Sequence, residues 1–167
     1  MQQKEIVQRI SFWLVLFIGG LLLSGVTAFP LLTELQWFHR LLLTEVLRRI
    51  SFAIGLLPWI ARVHEGLAAM HQSYPFLAYG TDWLAFAHMV IAIAFIGPCR
   101  EPVRNKWVID FGLIACAGII PLALIAGAVR CIPFPWRLID CSSGVFGCIP
   151  LLLCRRWISV LERDHAQ

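Results

Sequence analysis

The chain has 167 residues, of which 14% are charged and 59% hydrophobic, and a net charge of +4. Soluble domains average about 25% charged residues, so too little charge is present here to coat a water-facing surface, and an ordinary soluble globule is excluded. The basic residues are scattered between apolar runs, where positive flanks orient membrane helices; they do not point to nucleic acid. The composition predicts an all-α integral membrane protein, one membrane domain over residues 1–167, with the lipid bilayer as its first partner.

A membrane helix needs about 20 mostly apolar residues. The first such run is 10–29, bounded by Arg9 and by Pro30 and Glu34. The uncharged stretch continues to Thr33, longer than the roughly 7–15 apolar residues of a signal peptide, so it reads as a retained span.

Residues 31–74 are too many for a simple connection. Leu35, Phe38, Leu42, Val46 and Ile50 recur at helical spacing, with Glu34, Arg40, Glu45 and Arg48 between them, the pattern of an amphipathic helix on a membrane surface. The stretch 50–61 is apolar, interrupted by Gly55 and Pro58, and too short to span, which suits a re-entrant or interfacial segment. A further helix is expected from Ile60 to His71.

The second span is predicted over 75–98, interrupted only by Asp82 and His88 and stopped by Gly97-Pro98. A short basic hairpin, 99–106, leads to a third span at 107–129, with Asp110 near its start and Pro121 near its middle. The fourth, 138–154, is short, begins near Asp140, and is extended by snorkelling from Arg137, Arg155 and Arg156. Asp110 and Asp140 lie where a helix N-terminus favours a carboxylate, with Arg104 and Arg137 as expected partners. Trp13, Trp37, Trp83, Trp107, Trp136 and Trp157 fall near the proposed span ends, where indole sits at headgroup level.

Lys4, Arg9, Arg100, Arg104, Lys106, Arg155, Arg156 and Arg163 crowd the short segments at one side. The positive-inside rule then gives a multi-pass protein of a bacterial-type inner (cytoplasmic) membrane, with both termini inside and 31–74 outside. Gly20 with Ser24 and Gly144 with Cys148 have the spacing that lets membrane helices approach closely. None of the six cysteines forms a C-x-x-C pair, which speaks for packing roles. Cys131 and Cys141 bracket one short loop and are the expected disulfide if that loop faces an oxidising compartment.

Ligand-capable side chains concentrate on the outer side: His39, His64, His71, His88, Glu34, Glu45, Glu65 and Asp82. His64 and His71 share a helical face within about 20° but stand about 10 Å apart along the axis. The sequence His64-Glu65-Gly66-Leu67-Ala68-Ala69-Met70-His71 is not H-E-x-x-H, which removes the zinc-protease reading. His88 lies deep in an apolar run, where an ionisable group marks a functional site; its partner is expected from another element, with His64, Glu65 and His71 favoured. As metal ligands, His64, Glu65, His71, Asp82 and His88 are alternatives to one another; a cofactor would use His64, His71 or His88.

Arg9-Ile10-Ser11-Phe12-Trp13, followed by Ser24-Gly25 and Phe29-Pro30, resembles the first helix of respiratory cytochrome b subunits. Those subunits place an axial histidine near that helix's start, where this chain has Ser11 and Phe12, so no ligand follows from the resemblance. The expectation is an outer-side site for a metal ion, haem or quinone-type ligand. Alternatives are an accessory or scaffold subunit packed against other membrane subunits, or a lipid-acting membrane enzyme lidded by 31–74.

Overall fold

The computed structural model describes residues 2–165, and the side chains among them except those of Gln2, Val46, Asp164 and His165. Every regular element in this range is helical: α1 (Gln2–Ala28), α2 (Leu31–Leu42), α3 (Glu45–Ala53), α4 (Leu56–Ser73), a 3₁₀ turn (Pro75–Ala78), α5 (Tyr79–Ala94), α6 (Ile96–Arg100), α7 (Lys106–Val129) and α8 (Phe134–His165). Four stretches are long and apolar enough to cross a membrane: Gln3–Ala28, Pro75–Arg100, Lys106–Val129 and Phe134–Arg163.

The fourth span is longer than 138–154. It begins at Phe134, because Arg137 is accommodated rather than excluded: its aliphatic stem lies in the space left by the missing side chain of Gly127. Its guanidinium donates to the Leu124 carbonyl at 3.4 Å and stacks over Phe134. At the far end Arg155 donates to Asp110 at 2.5 Å, so the partner of Asp110 is a residue of α8 and not Arg104, which pairs with Glu101. Asp140 forms no ion pair among the described residues.

The four long helices form two antiparallel pairs. α1 lies on α5, with Gly25 allowing the α5 backbone at Ala85 to within 3.0 Å of where a Cβ would stand. α7 lies on α8, with Gly144 letting the Cys116 carbonyl to within 2.5 Å of where a Cβ would stand. The pairs meet at the end holding the N-terminus of α1, the α6–α7 link and the end of α8. There Ile10, Leu14, Phe95, Ile109, Leu151 and Ile158 are fully buried, and the Cys154 thiol reaches the Ile10 carbonyl at 3.6 Å. Lys106 ties to Glu162 at 2.7 Å at this basic end, and Asn105 donates to the Gly97 and Glu101 carbonyls.

The stretch expected as one amphipathic helix is two. Thr44 takes an extended backbone (φ −62°, ψ 143°) and interrupts α2 and α3, its hydroxyl donating to the Leu41 carbonyl at 2.8 Å. Gly55, at φ 72°, turns the chain into α4, where Pro58 sits in the first turn and needs no hydrogen-bond partner. Leu35 and Leu42 of α2 close on Leu56 and Ile60 of α4, with Trp136 of α8 packed against them. A small helical layer with its own core therefore rests on the far end of the bundle. The Val46 side chain, part of the expected apolar stripe, lies outside the described residues.

Candidate functional site

The ligand-capable residues expected on the outer side do not converge. His64 and Glu65 lie on α4, His71 near its end, Asp82 in the first turn of α5, and His88 two turns further on. Among the described residues no three His, Cys, Asp or Glu side chains are grouped to hold a metal ion. His64 is half-buried with its Nε2 inaccessible and unpartnered, while Glu65 and His71 are exposed. Asp82 faces a shallow recess beside Phe29, Tyr79 and Trp83.

His88 turns elsewhere. Its Nδ1 lies 2.8 Å from the carbonyl of Leu84 on its own helix, so the partner expected from the outer layer is supplied by the preceding turn. A carbonyl only accepts, so Nδ1 carries the hydrogen of this bond, and in that tautomer Nε2 is the ring's acceptor. His88 lines a cleft of about 490 Å³ between the α1–α5 and α7–α8 pairs.

The cleft exists because the pairs part above their shared core. Phe17 closes its floor, packed on Phe95 with ring centroids 4.7 Å apart. Above it Gly20 has no neighbouring atom within 4 Å of a Cβ position, whereas Gly147 across the gap is closely packed, a Cβ there falling 2.8 Å from the Cys116 sulfur. Gly20 thus leaves room where a larger side chain would fill the gap between the helices. Trp13 and Phe146 supply aromatic walls, and Ser24 and Ser143 bring hydroxyls. Pro150, also in the wall, has no N–H to give the Phe146 carbonyl one turn back, which is left free of its helical bond. An apolar slot with a few convergent polar groups is the usual form of a small-molecule site.

Trp13 therefore marks a cleft wall; it lies eleven residues inside α1 and not at its end. The cleft's signs in the sequence are Gly20 and Pro150 near mid-span, whereas attention falls naturally on histidines and carboxylates. The expected Cys131–Cys141 pair consists of two free thiols. Cys141 lies at the level of the Ile120 carbonyl, 3.9 Å away. Cys131 follows α7, eleven residues beyond Ile120, so the two are separated by roughly 13 Å or more along the helix axis, beyond disulfide reach. The thiols in contact are those of Cys116 and Cys148, across the α7–α8 interface.

Four helices long and apolar enough to cross a membrane, with a cleft between the two pairs, are compatible with a multi-pass membrane protein. No family model, curated protein or solved structure matches the chain.

Proposed function

We propose that this is a four-span protein of a cytoplasmic membrane, both termini on the cytoplasmic side, that binds a quinone-type ring in its mid-span cleft. Lipid accounts for the exposed apolar surface: Ile114, Phe146 and Val129 are 73%, 69% and 79% exposed, a load that water-soluble monomers do not carry as contiguous patches. The orientation rests on the basic end, where the α1 start, the 99–106 link and the α8 end gather the eight lysines and arginines.

The observation that carries the ligand reading is His88 in the lining of an aromatic-walled slot, its Nδ1 taken by the Leu84 carbonyl and its Nε2 without a partner among the described residues. Together with the freed Phe146 carbonyl it offers two acceptors in apolar surroundings, where a hydrogen bond matters most. A planar ring bearing hydroxyl groups, with an apolar tail passing between α1 and α8 into lipid, satisfies both; the quinol form fits better than the quinone. Trp13 and Phe146 suit the ring faces.

Two measurements test this. Solvent extracts of detergent-purified protein should contain quinone above the level in extracts of an unrelated four-span protein. Titration with a short-tailed benzoquinol should quench tryptophan fluorescence saturably, and Trp13→Phe should remove much of that quenching. His88→Ala, losing one hydrogen bond of about 0.5–1.5 kcal/mol, should weaken binding roughly two- to tenfold. A colourless, quinone-free preparation with no saturable quenching would favour the scaffold reading instead.

A further inference from the structure

A second recess, of about 280 Å³, lies between α4 and the α7–α8 turn, lined by Trp59, Arg62, Val63, Arg130 and Cys131. No carboxylate is among these residues. Neither Arg62 nor Arg130 has an ion-pair partner among the described residues, although Glu65 stands only one turn from Arg62. Two cations facing one recess repel each other unless an anion sits between them. Trp59, in the wall of the same recess, has an indole N–H that is buried without an acceptor, and indole nitrogen can only donate.

We infer that this recess is a phosphate-binding site, in which Arg62 and Arg130 receive a phosphate group from two sides and Trp59 walls it. Guanidinium groups match phosphate oxygens through paired N–H donors. The recess lies at the end of α7, where a membrane-spanning arrangement puts lipid headgroups. The phosphate group is therefore that of a phospholipid headgroup or of a soluble phosphate compound, and the chemistry of the site is the same for both. The site is separate from the mid-span cleft and does not depend on what that cleft binds.

Cys131 is the one exposed cysteine and lines the recess, so its thiol reports on occupancy. Its conversion to a mixed disulfide, with release of the reagent's sulfinate, would be followed by mass spectrometry of the unreduced Cys131 peptide with an anionic and a cationic thiosulfonate reagent. In detergent without phosphate, the anionic reagent should react severalfold faster than the cationic one. Arg62→Gln and Arg130→Gln should each erase that preference, while Arg49→Gln, an exposed arginine outside the recess, should keep it. Millimolar inorganic phosphate slowing the reaction would assign the site to soluble phosphate. Slowing in phosphatidylglycerol nanodiscs but not in nanodiscs of phosphate-free galactolipid would assign it to the headgroup. Each arginine removed should weaken the protection about tenfold. Absence of protection in both settings, or an anionic preference that survives both arginine changes, overturns the inference.

Discussion

Gly144→Ala probes the α7–α8 interface directly. A Cβ at Gly144 would stand 2.5 Å from the Cys116 carbonyl oxygen and 3.3 Å from Ile119 Cβ. Carbon–oxygen contacts normally begin near 3.3 Å, so the helices must part by something under an ångström, and the obstacle is backbone that cannot rotate away. Overpacking of this kind costs about 1–3 kcal/mol, and helix propensity returns at most about 1 kcal/mol on replacing glycine. The net loss is up to about 2 kcal/mol, which at roughly 2–4 °C per kcal/mol for a chain of this size lowers Tm by up to about 8 °C. Gly20→Ala is the control: it occupies the same kind of apolar helix but meets no atom within 4 Å. Thermal unfolding in one detergent should show Gly144→Ala below the wild type and Gly20→Ala equal to it or above. Equal Tm values for the two variants would refute the packing described.

Reporter fusions after Glu45, Val103, Phe134 and the C-terminus should read outside, inside, outside and inside; a cytoplasmic reading at Glu45 would sink the orientation. Mild oxidation should link Cys116 to Cys148, detected by mass spectrometry of unreduced peptides, and leave Cys131 unlinked to Cys141; the reverse pattern would contradict the helix register. Cys131 holds a left-handed backbone, φ 56°, at the αL position of a Schellman turn in which Ile132 N–H donates to the Gly127 carbonyl at 2.8 Å and Cys131 N–H to Ala128 at 3.1 Å. Cys131→Gly should therefore raise stability by about 0.5–1 kcal/mol, and a lowered Tm would contradict that geometry.

The spans were legible because apolar length is a strong signal: the third run, 107–129, differs from α7 by one residue at its start. The fourth was shortened by counting Arg137, Arg155 and Arg156 as boundaries, since only the fold reveals that Arg137 rests on Gly127 and Arg155 meets Asp110. The break at Thr44 was readable in principle, because threonine followed by glutamate is an N-terminal signal inside an otherwise continuous pattern. His88 was rightly placed in an apolar helix, yet its backbone partner one turn back was overlooked in favour of distant side chains. The cleft itself is formed in part by what is missing at Gly20, and the gap between two helix pairs depends on tertiary placement that no local pattern carries. The recess at Arg62 and Arg130 joins residues from α4 and the end of α7 and was hidden for the same reason.

The claim that the mid-span cleft is a ligand site is tested most directly by filling it without touching anything else. Gly20→Leu adds a side chain into open space on the α1 wall of the cleft and leaves His88, Trp13 and the helix contacts in place. In the benzoquinol titration this variant should keep the wild-type Tm but lose saturable quenching, or weaken it at least tenfold. Unchanged quenching affinity in a folded Gly20→Leu protein would contradict the account.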